Sequence, residues 1–467
     1  MSTPISDRQI LSVAQMQAAE QALVDAGTSV DELMQVAGRG AAEWVWRVAA
    51  GRAVTVLCGP GNNGGDGYVI AEVLRGRGLA VQVVAPAAPK TEAVKHARRA
   101  YRGTSLSSGK DAQGQVLVDC LFGSGLARPL SAEHALLLRD LAARHPLRIA
   151  VDLPSGVASD SGELLNERLP DYRMTLALGA WKFAHVRLPA RRIMGDLQLV
   201  PIGVDAVAGA AQSIARPKLA PPAADAHKYT RGLCAVVGGA MPGAALLASE
   251  AAMRAGAGYV KLLAHRAPAA APAALVVDER RLGEALGDSR IAVLLIGPGL
   301  GRGHEAQDRL QVVLATGRPL VLDADALGLL KPGMIPAGLP ALATPHDGEL
   351  ESLCRSFAVV AQGRQARAQA LAQTSGLVVL AKGPETLLAT PDGRLAWAPP
   401  APSWLSVAGT GDVLAGIAAS RMANGRPPFE AGCEAVWLHG EAASRCGPAF
   451  TAGELARTVS IAIAAAL

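Results

Sequence analysis

Carboxylates and glycines standing just after apolar runs are the residues of this chain with the clearest chemical potential. The segment Gly409-Thr410-Gly411-Asp412 lies directly before the helix-forming run Val413-Leu414-Ala415. Glycines at a helix mouth let backbone N–H groups close on an anion, the helix dipole favours negative charge there, and an adjacent carboxylate can act as a base. The same residues also read as a strand-to-helix turn capped by Asp412. A second cluster, Gly59-Pro60-Gly61-Asn62-Asn63-Gly64-Gly65-Asp66-Gly67, reads as a glycine-rich loop that joins two amides to a carboxylate. Such a set can hold a ligand amide, a phosphate or a hard cation. It fits neither the dinucleotide fingerprint nor the phosphate loop that ends in lysine, and Asn-Gly pairs also occur in plain turns. Asp119, Asp152, Ser155, His346 and Lys382 follow apolar runs in the same manner, while Lys182 reads either as a lysine reaching the same pocket or as a solvated one.

These side chains meet only if the elements before them run parallel and end at one edge. Apolar steps of three and four residues predict helix from Ser12 to about Ala50, interrupted at Gly27. Short β-branched runs predict strands at 53–58, 80–85, 116–121, 148–153 and 175–178, with helix from Tyr68 to Leu74. That order is the opening of a doubly wound α/β domain, in which ligands bind beyond the carboxyl ends of the strands. Between about Asp205 and Asp225 the composition turns to Ala, Gly and Pro, which reads as a linker. The strand–turn–helix pattern then restarts at Leu233. Strand ends follow at Gly297, Asp323, Thr344 and Lys382, with the Gly409 segment as a fifth facing the same crevice.

With 467 residues, 50% hydrophobic and 18% charged, the chain reads as a globular protein of two or three domains, with cores of aliphatic residues and alanine. The net charge of +5 is spread along the sequence, so nucleic acid is not an expected partner. Six cysteines without paired spacing read as core residues in a reducing compartment. No signal-peptide pattern stands near Met1 and no apolar run is long enough to span a bilayer, so a cytoplasmic protein without a membrane partner is expected.

In their order, the motifs resemble those of the bifunctional NAD(P)H-hydrate repair enzymes, over nearly the whole chain. The first half is similar to the NAD(P)H-hydrate epimerase domain through Gly59 to Gly67, Val118-Asp119 with Gly123 to Pro129, and Asp152-Leu-Pro-Ser155-Gly156. The second half is similar to the ADP-dependent dehydratase domain through Gly297 to Gly301, Asp323-Ala-Asp325, Thr344-Pro-His346, Lys382-Gly383 and Gly409 to Asp412. The resemblance implies an α/β architecture with a Rossmann-like doubly wound epimerase domain over residues 1–215 and a ribokinase-like dehydratase domain over residues 216–467.

By the same resemblance, Asn62, Asn63, Gly64, Gly65, Asp66, Gly123, Ser124, Gly125, Leu126, Ala127, Arg128, Pro129 and Asp152 hold the hydrate in the epimerase half. K⁺ is implied on Asn63, Asp119 and Ser155. Asp119 or Asp152, helped by Lys182, is expected to shuttle the proton of epimerisation. In the dehydratase half Ala244, Gly299, His346 and Asp412 are implied to face the hydrate, and Lys382, Gly383, Pro384, Glu385, Thr386 and Gly411 to bind the nucleotide. Asp412 is expected to be the base for phosphoryl transfer from ADP, with Mg²⁺ carried by the nucleotide. The implied partners are the NADH and NADPH hydrates (NADHX and NADPHX), ADP and further copies of the chain in a homo-oligomer. Two positions depart from the family's pattern: Asp347 stands where proline is common, which bears on the rigidity of that turn, and Ala158 where aspartate is frequent. A small-alcohol kinase fused to a nucleotide-binding domain would use the Gly409 segment equally well but has no need of the epimerase-like half. A non-catalytic nucleotide-binding scaffold is the remaining alternative.

Overall fold

The computed structural model describes residues 5–467. The chain divides into two compact units between Gln212 and Ser213, within the stretch read as a linker.

The first unit opens with β1 (Gln9–Leu11), α1 (Val13–Asp25) and α2 (Val30–Ala49). Both helices begin in capping boxes, Ser12 with Gln15 and Ser29 with Glu32, which satisfy N–H groups that a helix start leaves unpaired. The chain then alternates through β2 (Val54–Cys58), α3 (Asn62–Gly76), β3 (Val81–Val84), α4 (Glu92–Ala100), β4 (Thr104–Leu106) and β5 (Val116–Cys120). It continues through α5 (Ala132–Arg144), β6 (Leu147–Val151), β7 (Met174–Leu178), β8 (Trp181–Lys182), β9 (Asp196–Val200) and β10 (Ala211–Ser213). Seven strands form one parallel sheet in the order β4-β3-β2-β5-β6-β7-β9. Every residue of β2, β5 and β7 is buried, because helices cover both faces of such a sheet. Strand order reverses between β2 and β5, so the ends of these two strands open a crevice there.

One expectation is corrected here. The stretch from Asn62 to Gly67 is no flexible loop: α3 begins at Asn62, six residues earlier than the helix predicted from Tyr68. The glycines let this turn lie against the strand ends. A Cβ on Gly64 would strike the Gly59 carbonyl, and one on Gly67 would come to 2.8 Å from both Cys58 Sγ and Cys120 Cβ.

The second unit runs through β11 (Leu233–Val237), α6 (Pro242–Arg254), β12 (Tyr259–Leu263), β13 (Val276–Asp278), α7 (Leu282–Leu286), β14 (Ile291–Ile296) and α8 (His304–Leu314). It continues with β15 (Leu320–Leu322), α9 (Asp325–Leu329), β16 (Ala341–Ala343), α10 (Asp347–Ser356), α11 (Arg364–Ser375) and β17 (Val378–Ala381). The hairpin strands β18 (Leu387–Ala389) and β19 (Leu395–Trp397) precede α12 (Thr410–Ala423), α13 (Pro428–Cys446) and α14 (Ala452–Ala466). Strands β13-β12-β11-β14-β15-β16-β17 are parallel in that order, and β18 and β19 add antiparallel. Helices α6, α12, α13 and α14 bury a core rich in alanine. Small residues bring helix axes close: a Cβ on Gly416 of α12 would collide with the Ala248 carbonyl of α6. All residues of α12 from Val413 to Ala423 are buried, which holds the mouth of this helix in a fixed place.

Two readings of that mouth change. Gly409 does not follow a strand, because Pro399, Pro400 and Pro402 end β-pairing after Trp397 and a short 3₁₀ turn, Ser403–Leu405, intervenes. Four adjacent strand ends and one helix start therefore face the crevice. Nor does Asp412 cap α12. The cap is Gly409, in the left-handed region at φ 92°, and Asp412 is the third residue of the helix.

Candidate active sites

In the first unit a cleft of about 440 Å³ opens beyond the ends of β2, β5 and β6, with Asp66, Asp152, Lys182, Asn63 and Glu20 on its walls. Asp152 occupies the tight turn after β6 at φ 66°, a left-handed conformation that costs a non-glycine residue energy and that surrounding bonds must hold. Its backbone N–H donates to Leu176 O at 2.7 Å. Its carboxylate accepts from Lys182 Nζ at 2.6 Å and from the Ser124 N–H at 2.8 Å. Burial works to raise this carboxyl, but the Lys182 ammonium and the Ser124 N–H outweigh it and hold the group below its ordinary range. Lys182 is 1% exposed and also donates to Leu178 O at 2.5 Å. His185 sits behind the pair. Its Nδ1 accepts the Lys182 N–H and its Nε2 donates to Asp152 O, and burial lowers it to about 4, so the ring is neutral.

Asp66 is the counterpart. It is 7% exposed, faces the cleft from α3, and no donor reaches its carboxyl among the described residues. Burial, reinforced by the Asp152 carboxylate, pushes it well above the usual carboxylate range. The cleft thus holds one carboxyl shifted down and one shifted up, the divergence that acid–base chemistry requires.

The other expected residues fall into three places. Gly123, Ser124, Gly125 and Leu126 line the cleft with Asn62 and Asn63. A Cβ on Gly123 would lie 2.9 Å from Asp152 Oδ2 and 3.2 Å from Asn63 Cγ, so the missing side chain leaves the cradle open. Gly64 and Gly65 are buried beneath it, and Ala127, Arg128 and Pro129 are exposed beyond its rim. Asp119 and Ser155 stand behind the wall. The Asp119 carboxylate, fully buried, accepts from Leu121 N, Ser155 N, Ser155 Oγ and Tyr172 Oη at 3.1, 3.0, 2.7 and 2.5 Å. Four bonds fill its lone pairs, so Asp119 braces the turn and cannot shuttle protons in the cleft. Asn63 is the opposite case: both amide atoms are buried with no partner among the described residues.

In the second unit the ends of β15, β16 and β17 carry Asp323, Thr344 and Lys382. Asp323 Oδ1 accepts from Thr344 Oγ1 and Lys382 Nζ, both at 2.6 Å. Lys382 Nζ lies 3.2 Å from the point where a Cβ on Gly411 would stand, which places the ammonium at the mouth of α12. Burial and then the Asp323 carboxylate raise Asp412 to about 6, against the lowering effect of Lys382. Gly299 has φ 65°, and its carbonyl accepts the Met241 N–H at 2.9 Å just before α6, whose first turn carries Ala244. Lys382 N–H donates to Pro345 O at 2.8 Å, joining the His346 turn to the segment Lys382 to Thr386. His346 is exposed; its Nδ1 caps α10 by accepting from the Gly348 and Glu349 N–H groups, and its Nε2 lies 3.4 Å from Glu349 Oε1. The departure at Asp347 is balanced by Arg364, which binds that carboxylate at 2.8 and 2.5 Å.

One family model, described as NAD(P)H-hydrate dehydratase, matches residues 234–464, and a second, described as YjeF-related protein N-terminus, matches residues 30–184. The chain is 33% identical to the bifunctional NAD(P)H-hydrate repair enzyme Nnr of Gloeobacter violaceus, over 93% of this chain and 92% of that protein. The chain belongs to the bifunctional NAD(P)H-hydrate repair enzyme family. The Escherichia coli relative of the same name is also 33% identical, with 92% of this chain and 88% of that protein covered. The second unit is similar to the ADP/ATP-dependent NAD(P)H-hydrate dehydratase of Bacillus subtilis crystallised with ATP and Mg²⁺, at 28% identity and a TM-score of 0.48 over 54% of this chain and 95% of that one.

Within this repair-enzyme chain, several contributing residues carry no sequence signal. Glu20 belongs to an amphipathic helix and reads as surface, yet it lines the cleft. Tyr172 and His185 act through Asp119 and Asp152 from distant positions. His439 of α13 is buried at about 4, with its Nε2 2.9 Å from Thr410 O, and so props the first residue of α12. No helix among the described residues is long and apolar enough to cross a membrane.

Proposed function

We propose that this protein repairs hydrated NADH and NADPH, exchanging the R and S epimers in the first unit and dehydrating the S form in the second at the expense of ADP, with AMP and phosphate as products. The observation that carries this reading is Asp412, raised to about 6 at the mouth of a buried helix beside Lys382. Hydroxide is a poor leaving group from the nicotinamide ring, and phosphorylation makes it a good one. Asp412 as carboxylate accepts the proton of the hydrate hydroxyl while that oxygen attacks the terminal phosphorus of ADP. The free N–H groups of Gly411 and Asp412 and the Lys382 ammonium stabilise the charge that develops on the phosphoryl oxygens. Loss of phosphate and a ring proton then restores the double bond. Ala244, Gly299 and His346 surround the hydrate, and Gly383, Pro384, Glu385 and Thr386 with Gly411 hold the nucleotide.

In the first unit Asp66 donates a proton to the departing hydroxyl and Asp152, kept charged by Lys182, accepts one from the water that adds on the other face; the reverse passage exchanges the roles. K⁺ suits Asn63, whose amide oxygen has no partner among the described residues, and Ser155, whose hydroxyl proton is directed at Asp119 and whose oxygen accepts the Phe122 N–H and keeps one further lone pair. Asp119 supplies the compensating charge, and the ion would neutralise an anionic part of the hydrate. Mg²⁺ would be carried by the nucleotide phosphates and water. Six cysteines without paired spacing and small-molecule substrates agree with a cytoplasmic enzyme, which we place there as a homo-oligomer.

The test is epimer exchange and AMP release measured separately. Asp152→Asn should stop exchange and spare hydrate-dependent AMP release, and Asp412→Ala the reverse. Exchange at the wild-type rate in the Asp152 variant removes that assignment, and a stable phosphorylated product from an alcohol panel would point to a kinase instead.

A further inference from the structure

Arg364 has no part in the chemistry above, yet it joins two segments that do. It is the first residue of α11, preceded by Gly363 at φ 80°. Its Nε and Nη2 donate to the two oxygens of Asp347, the residue after His346, and its Nη1 donates to Glu385 O at 2.9 Å. A planar guanidinium with its fork filled by one carboxylate is fixed in orientation, so an Nη1 N–H fixes where the Glu385 carbonyl stands. Asp347 is 63% exposed on its side chain while Arg364 is only 17% exposed, because the guanidinium is covered by the segment it holds. Gly383 completes the fit: a Cβ there would stand 2.6 Å from Arg364 Cζ. A side chain at 383 would push the guanidinium away from Glu385.

We infer that Arg364 is the positioning residue of the nucleotide-binding segment Lys382 to Thr386, that Asp347 orients it, and that glycine is required at 383 to admit it. This rests on the reading that the second unit binds ADP through that segment. Without Arg364 the segment samples other conformations, and apparent affinity falls by the fraction of time it spends competent. Lys382 is held independently by Asp323 and by its N–H to Pro345 O, and Asp412 with the α12 mouth lies on a different element, so turnover at saturating ADP is kept.

The experiment measures steady-state dehydration of prepared hydrate by the full chain for Arg364→Ala, Arg364→Lys, Asp347→Ala and the double variant. Arg364→Ala should raise KM for ADP about tenfold with kcat within twofold of wild type, and guanidinium ion at tens of millimolar should recover part of the loss. Arg364→Lys should resemble the alanine variant, because its ammonium cannot fork. Asp347→Ala should raise KM for ADP a few-fold alone and add nothing in the Arg364→Ala background. If Arg364→Ala does not fold, Arg364→Lys and Asp347→Ala carry the test, each with a raised KM for ADP. An unchanged KM for ADP, a fall in kcat alone, or independent effects of the two substitutions would overturn the inference. Absence of ADP-dependent turnover in the wild type fails the underlying reading instead.

Discussion

Replacing Asp412 by asparagine should abolish dehydration and at the same time stabilise the second unit. The folded protein holds this carboxyl at about 6 against an ordinary value of 3.8, chiefly by burial and then by the Asp323 carboxylate. A carboxyl whose pKa is raised on folding gives up stability as pH climbs from the ordinary value through the folded one, because the folded state keeps a proton that the unfolded state has released. At pH 7.5 the ionised group therefore works against the fold. Each pH unit of displacement is worth about 1.4 kcal/mol, which gives a ceiling of about 3 kcal/mol, and partial contact with solvent reduces this to roughly 1–2 kcal/mol. Asparagine keeps the shape and removes the charge. The variant's second-unit transition, followed by scanning calorimetry, should rise by several degrees at pH 7.5, at about 2–4 °C per kcal/mol for a domain of this size. The gain should shrink towards zero at pH 4. Hydrate-dependent AMP release should fall by about 10²–10⁴-fold, the usual value of a positioned base. In the wild type kcat/KM for dehydration should decline on the acid side around pH 6. A variant melting below wild type at pH 7.5, or an advantage that persists unchanged at pH 4, would refute the electrostatic reasoning.

Other outcomes follow from the same contacts. Lys182→Met leaves the Asp152 carboxylate buried and unpaired, so it should destabilise the first unit by about 3–5 kcal/mol in denaturant melts, with much of the loss recovered on adding Asp152→Asn. Because Asp152 is held below its ordinary range, the stability it contributes should be present above the ordinary carboxylate pKa and lost as pH falls through the folded value; a melt series from pH 6 to pH 2 on wild type and Asp152→Asn reads this directly. Gly67→Ala should cost about 1–3 kcal/mol by overpacking against Cys58 and Cys120, visible as a lower midpoint without a changed slope.

Much of the architecture could be read from the chain because parallel strands buried on both faces leave unbroken apolar runs, as at Val54 to Cys58 and Leu233 to Val237, with glycine or aspartate at their ends. Periodicity does not show why a glycine is there. The run from Gly64 to Gly67 has the composition of a loop, and only contact with Gly59, Met34, Cys58 and Cys120 makes it the start of a helix. The Gly409 segment resembles a strand-end turn locally, but the prolines before it deny it a strand. Protonation was the least legible feature. Asp66 in the first turns of α3 and Asp152 after β6 are the same residue type facing one cleft, and their opposite shifts depend on the Lys182 hydrogen bond that Asp152 alone receives. Tyr172, His439 and Arg364 likewise act across long sequence separations, where spacing carries no information.

The central claim is that two sites on one chain together return every molecule of damaged cofactor to NADH. Chemically prepared NADH hydrate containing both epimers, incubated with the full chain, ADP, Mg²⁺ and K⁺, should regain the whole of the NADH absorbance, with one AMP released per NADH. With Asp152→Asn, recovery should stop at the fraction initially present as the S epimer. No recovery by the wild-type chain, or full recovery at the wild-type rate by the Asp152 variant, would contradict the account.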